Sequence, residues 1–443
     1  MMDRPEIEQI CHLVLEESGA DQTEVLVSSG QTALTRYANN RIHQNVAETD
    51  LAVSIRAIKG RQIGVSSTND PRHASLRQAT QRALELAELS PANPAFPGLP
   101  SAPAPEPGPA PAAATIASTP EERGAAVMQI LDVARGDDLT ASGALEADYT
   151  RLAVANSEGI FAYGEYTRAH LTALLQGADS SGWAETHATD ISRLDPLALA
   201  RTAAGKTLVS AAPRAVDPGP YTVILEPLAV CDILFWLGLY GFNALGYQEK
   251  RSFLTERLGQ QVAAEAVSLH DDGRDERGLP LLFDFEGVPK QRVPLIDSGV
   301  AVGMVHDSRT AAHAEPPTTS TGHALPAPNT YGPVPTNLFL APGDADMTEM
   351  IRSVDRGLLV TRFHYTNIVH PMQMTLTGMT RDGTFLIEDG EIMAGVKNLR
   401  FTQSLLEALM QVEMIGNEGA QGEYAWAPAL KIAGFNFTGA TEF

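Results

Sequence analysis

The residues that could do chemistry in this chain are scattered. His306, His313 and His323 fall in one loop-rich stretch, and His364 and His370 flank Tyr365-Thr366-Asn367-Ile368-Val369. No two of these five stand three or four residues apart, the spacing that sets two imidazoles on one helical face for a metal ion. They read as surface or hydrogen-bonding histidines, with convergence of loop histidines on an unusual metal site as the alternative. The acidic pairs Asp271-Asp272, Asp275-Glu276 and Asp284 with Glu286 sit in turn-like sequence and read as turn caps and solvated faces rather than a carboxylate dyad. Ser298, in Asp297-Ser298-Gly299-Val300, lacks the glycine-flanked setting of a nucleophile elbow. Cys11 and Cys231 lie in apolar surroundings and build no disulfide framework, so a reducing cytoplasm is the simplest location.

The densest aromatic cluster is Trp236, Tyr240 and Tyr247, with Arg251 just beyond, on an apolar run from Cys231 to Tyr247. Its plain reading is a buried amphipathic helix whose tyrosine hydroxyls find partners at the rim. A membrane span is disfavoured, because Asp232, Gly238, Gly241, Asn243 and Gly246 interrupt it and a central Asp costs about 3 kcal/mol in lipid.

What must position these residues is a large, acidic chain. Its 443 residues, 44% apolar and 19% charged, suffice for two cores. A formal charge of −22 repels a phosphate backbone, so no nucleic-acid partner is expected. The N-terminal Met1-Met2-Asp3-Arg4-Pro5 has neither the basic nor the apolar region of a signal peptide.

Apolar residues at 7, 10, 11, 14 and 15 predict a first helix ending at Gly19. Alternation from Glu24 to Ser67 predicts three or four antiparallel strands, broken at Ser29-Gly30, Asn39-Asn40 and Lys59-Gly60. Asp70-Pro71, Thr119-Pro120 with Glu122, and Asp195-Pro196 each read as the start of a helix. Residues 90–114 are so rich in proline that they are expected to be extended, exposed and dispensable for folding. Strands are expected at 143–155 and 160–177, and Pro213 to Pro220 is taken as a domain boundary. The reading is an α+β protein of two domains. Residues 1–212 form an N-terminal domain of antiparallel strands and helices with an insertion at 90–114. Residues 213–443 form a β-rich domain that opens with a buried strand at 221–225 and the apolar helix; from 265 onward short strands dominate, with helices only near 346–356 and 402–415.

A series of glycine-punctuated pieces carries a resemblance. Thr23 to Gly30, Leu34 to Asn45, Val53 to Ser67, Leu258-Gly259, Asp271-Asp272-Gly273, Phe283 to Pro289, Leu295 to Val300, Gly303 to Asp307, Met350 to Val360 and Gly383 to Ile392 resemble the TldD/PmbA family in order and spacing. The TldD type in that family resembles a zinc protease, with a His-Glu-x-x-x-His helix and a C-terminal cysteine ligand. This sequence offers Phe235, Trp236, Leu237, Tyr240 and Gly241 at the helix, and no cysteine follows Cys231. It therefore looks like the TldE (PmbA) type.

The resemblance implies a chain with no catalytic residue, no metal ligand and no cofactor of its own, zinc being expected only in a TldD-type partner. It implies a heterodimer in which that partner cleaves small or unfolded peptides, with a homodimer as the other assembly. Trp236, Tyr240, Tyr247 and Arg251 would then line a retained peptide-binding cleft, where an extended peptide adds as a strand. Two alternatives stand beside this: an active metallopeptidase with unrecognised ligands, and a homodimeric peptide-binding or maturation factor.

Overall fold

The computed structural model describes residues 1–441. Six strands form the first sheet: β1 Gln22–Ala38, β2 Arg41–Lys59, β3 Gln62–Thr68, β4 Thr140–Asn156, β5 Phe161–Gln176 and β6 Ser181–Ala188. They lie in the order β3-β2-β1-β4-β5-β6, and every neighbouring pair is antiparallel. Asn39 and Asn40 turn β1 into β2 with φ of 52° and 57°, the left-handed pair that a two-residue hairpin needs and that asparagine tolerates. Ser29-Gly30, expected to break a strand, lies inside β1, with pairing to β2 and β4 on both sides. A glycine in a strand flanked on both edges keeps its ladder bonds, and that outweighs its weak local preference.

Five helices belong to this half: α1 Arg4–Glu17, α2 His73–Leu89, α3 Ala113–Ile116, α4 Pro120–Gly136 and α5 Pro196–Val209. Asp3 and Thr119 each close a capping box, with Glu6 and Glu122, and Asp195 accepts from the Ala198 N–H. Asp70 does not cap α2. Its carboxylate takes the Arg72 N–H and the Ser75 hydroxyl, and the helix starts at His73. The odd-numbered residues of β1 and β4 pack beneath the four longer helices, Val25, Val27, Ala153 and Ala155 under α1 and α2, Leu145 under α4 and α5. All four helices thus cover one face. Gly64 lets α2 approach closely, since a Cβ there would lie 2.1 Å from the Ala83 carbonyl oxygen.

The proline-rich stretch is extended as expected, but it is not free of the core. Phe96 and Leu99 are buried against Ile58 and Ile63. Gln22 accepts from the Leu99 N–H, Asn156 donates to the Pro100 carbonyl, and Arg61 donates to the Pro94 carbonyl. Two apolar side chains among many prolines are enough to pin such a segment.

The chain crosses to the second sheet between Val209 and Gly219. Its strands are β7 Gly219–Leu225, β8 Leu269–Asp271, β9 Val293–Asp297, β10 Val300–Ala301, β11 Leu338–Leu340, β12 Arg356–His370, β13 Thr375–Glu388, β14 Glu391–Gly395, β15 Leu399–Ser404, β16 Val412–Gln421 and β17 Ala425–Ala440. Short strands are present as expected, while β12, β13 and β17 reach 14 to 16 residues. The pairings β7–β12, β12–β13, β13–β15, β15–β17 and β17–β7 close a ring. Phe363, Phe401 and Phe435 meet in the main core of this half, with ring centroids 4.6 to 5.9 Å apart. The apolar run after β7 forms α6 Pro227–Trp236 and α7 Ala244–Gln248, joined by a wide turn over Leu237–Gly241. Among the described residues, further helices lie at Leu254–Arg257 and Ser308–Ala312, as well as Met347–Arg352 and Leu405–Met410. No described helix is long and apolar enough to cross a membrane.

Candidate functional site

Helix α6 is set by its start. Pro227 occupies its first turn, where the missing N–H costs nothing, and Glu226 before it is tied to Lys206 at 2.6 Å. Ala229, Val230, Ile233, Leu234 and Leu237 turn into the main core. Asp232, Phe235 and Trp236 face the other way, into a cavity of about 370 Å³. The opposite walls are Arg362 and Thr366 of β12, the Gly422–Tyr424 loop, and Trp183 and Glu185 of β6. The two halves of the chain meet here. The Arg362 guanidinium lies 4.4 Å from the Trp183 ring centre and pairs with Asp382, which accepts from the Ser181 hydroxyl.

A hydrogen-bonded chain crosses the cavity wall. Trp236 Nε1 donates to Thr366 Oγ1 at 3.0 Å, and Thr366 donates to Asp232 Oδ1 at 3.3 Å. Asp232 Oδ2 is buried with no partner among the described residues. Burial pushes this carboxyl up to about 6, against the bond from Thr366. Cys231 is no nucleophile: burial drives its thiol up to about 12, and Sγ lies 3.2 Å from the Ala425 carbonyl oxygen. From Pro227 to Gln248 there is no histidine and no glutamate. One carboxylate, a protonated thiol and aromatic rings do not supply the donor set of a zinc site.

Of the four residues singled out from sequence, the structure brings two together. Trp236 lines the cavity, and Tyr240 stacks on it at 6.0 Å with the planes 18° apart. Tyr247 lies on α7, half-buried against the main core. Arg251 is exposed and paired with Glu249. The loop histidines do not converge. His323 is buried on Asp271 at 2.8 Å, His313 bonds the Arg309 carbonyl, and His364 packs edge-on to Tyr365. Asp284 caps a turn, accepting from the Glu286, Val288 and Ala324 N–H groups.

Sequence reasoning missed Asp232 and Thr366 as partners of Trp236, and it missed a cluster on the sheet face opposite the helices. His170 of β5 and His187 of β6 stand directly opposite one another, their rings stacked at 4.2 Å. Each Nε2 meets Glu185 Oε1, at 3.0 and 2.6 Å. Burial alone would lower His170, but Glu146 and Glu185 outweigh it and push it up to about 9. Burial would raise Glu185, and the two imidazoles instead hold it down at about 2. The Glu185-x-His187 alternation was a visible signal; the pairing with His170 required the register.

Comparison with known proteins gives a consistent assignment. Residues 218–439 match the PmbA/TldA metallopeptidase C-terminal domain, and residues 23–87 match PmbA/TldA metallopeptidase domain 1. A metalloprotease TldD homolog of Buchnera aphidicola subsp. Schizaphis graminum is 28% identical over 198 residues, 41% of this chain and 39% of that protein. One from Haemophilus influenzae is 26% identical over 195 residues, with the same shares of each chain. The match thus spans about two-fifths of the length of these curated relatives. The crystal structure of TldE from Thermococcus kodakarensis shares the fold with a TM-score of 0.88 at 20% identity, covering 98% of this chain and 100% of that one. With its C-terminal half matching throughout and its opening strands matching as well, this chain belongs to the PmbA/TldD metallopeptidase family.

Proposed function

We propose that this chain is a TldE-like, non-catalytic subunit that pairs with a TldD-type metalloprotease subunit in the cytoplasm and helps present small or unfolded peptides to it. The observation that carries the reading is the cavity face of α6, where Asp232, Phe235 and Trp236 replace any set of metal donors. Such a wall can hold a peptide by apolar contact and hydrogen bonds without activating water. The TldE-like fold supports the same reading, as does the relatedness to TldD homologs. Zinc for hydrolysis then belongs to the partner.

The test is reconstitution with a TldD-type subunit from the same cell. The expected outcome is a mixed complex by size-exclusion chromatography and light scattering, with peptide cleavage that neither chain gives alone. Cleavage by this chain alone, abolished by chelation, would refute the reading. A stable homodimer that ignores the second subunit would replace it with a homodimeric peptide-binding factor.

A further inference from the structure

We propose that His170, Glu185 and His187 form a binding site for one divalent transition-metal ion, of which zinc is the reference case. The ligands stand on β5 and β6 rather than on α6, and the test does not depend on any partner subunit.

Register builds the site. His170 and His187 are cross-strand neighbours on β5 and β6, and Glu185, two residues before His187, shares their face of the sheet. The three ligand atoms lie within 4.8 Å of one another. Both Nε2 atoms aim at one point, occupied by Glu185 Oε1 at 3.0 Å from one and 2.6 Å from the other. A zinc ion needs about 2.0–2.1 Å to nitrogen and about 2.0–2.2 Å to oxygen. An ion at those distances takes the place between the two nitrogens that Glu185 Oε1 now holds, so the carboxylate has to turn aside to bind it.

Two further observations point the same way. Glu146 Oε2 lies 3.7 Å from Nδ1 of His170, on the side away from the convergence point. A carboxylate behind the outer ring nitrogen fixes the orientation of a metal-binding imidazole and raises its basicity. On the other side, Glu185 and His187 line a cavity of about 380 Å³ that Gly278, Gly422 and Trp426 also border. Three protein ligands with a free position toward a cavity leave room for water or an oxygen atom of a bound peptide. Two imidazoles and one carboxylate favour zinc, cobalt, nickel or copper over calcium and magnesium, which take oxygen-rich sets. Glu185 also borders the α6 cavity, so the ion would sit on the wall that the two cavities share.

The experiment is titration of the full metal-free chain with zinc by calorimetry, and with cobalt followed by visible absorption. One ion per chain is expected, with a cobalt spectrum of low coordination number. His187→Ala and Glu185→Gln should weaken binding at least 100-fold, and Glu146→Gln, which leaves all three ligands in place, should weaken it about 10- to 100-fold. His187→Gln keeps a hydrogen bond to Glu185 and serves as the folded variant if His187→Ala fails to fold; circular dichroism checks both. His313→Ala, at an exposed histidine whose Nδ1 lies 2.9 Å from the Arg309 carbonyl oxygen, should bind as the parent does. Absence of stoichiometric binding, or binding unchanged in the His187 and Glu185 variants, overturns the proposal and leaves the cluster as a hydrogen-bonded charge network.

Discussion

Trp236 donates its indole N–H to the Thr366 hydroxyl at 3.0 Å, fastening α6 to β12 in the wall of the cavity. The residue packs against the main core and also borders the cavity, and the bond fixes how it is held between them. The ring is half-buried, and its polar edge is held by a neighbour that also reaches Asp232. Trp236 is thus positioned by a defined partner and presents a ring edge to the cavity.

Trp236→Phe should keep the ring contacts with Phe235 and Tyr240 and lose only this bond. A stability loss of about 1 kcal/mol is expected in denaturant titration. Trp236→Ala also removes the wall, so peptide turnover by the reconstituted complex should fall while the complex itself persists on size-exclusion chromatography. Normal turnover with Trp236→Ala would place the peptide elsewhere.

Asp232 gives a pH signature of known sign. Its folded pKa of about 6 lies above the unfolded value of about 3.9, so the folded state holds more protons between them. Stability from this group is complete below the unfolded value and is lost as pH rises through 6. Glu24 and Asp284, each raised to about 7 chiefly by burial, act in the same direction, so the comparison must be made with a variant. Asp232→Asn should gain on the parent chain by on the order of 2 kcal/mol between pH 4.5 and 7.5. A gap that stays constant across that range would show that the carboxyl titrates normally.

The buried Asp271–His323 pair acts oppositely. Burial would raise Asp271, but His323 and Lys290 hold it down at about 2, below its unfolded value. That stability is present above pH 4 and disappears as pH falls toward 2. His323, buried and favoured in its neutral form, adds a loss that begins as pH falls below its unfolded value near 6.5. Asp271→Asn should cost about 2 kcal/mol at pH 7, since it weakens the charge-assisted bond to His323 and the acceptor of the Asn337 N–H. The cost should shrink in urea titrations carried down to pH 3.

The proline-rich segment should divide in two. Phe96→Ala and Leu99→Ala are each expected to cost about 2 kcal/mol, because both side chains are buried against Ile58 and Ile63. Replacing residues 101–107, largely exposed, with a Gly/Ser stretch of equal length should change stability by less than about 0.5 kcal/mol. Equal effects from both changes would mean that the segment packs as one unit.

Much of the fold was legible in the sequence because local chemistry specified it. The Thr119–Glu122 capping box, Asp195-Pro196 and the alternation of the first three strands each fix an element through neighbours a few residues apart. Local cues failed where a longer-range partner intervened, as at Ser29-Gly30, held between two strands, and Asp70, drawn to Arg72 and Ser75. The absence of histidine and glutamate from α6 was also plain, since it depends on residue types alone. The grouping of the cavity residues was not. Trp236 and Thr366 are 130 residues apart and meet only because β12 pairs in parallel with β7, the strand that leads into α6. His170 and His187 are ordinary alternating residues of two strands until the β5–β6 register sets them face to face with Glu185 between them. A one-residue slip would send them to opposite faces, so only the tertiary structure could decide that they share a site.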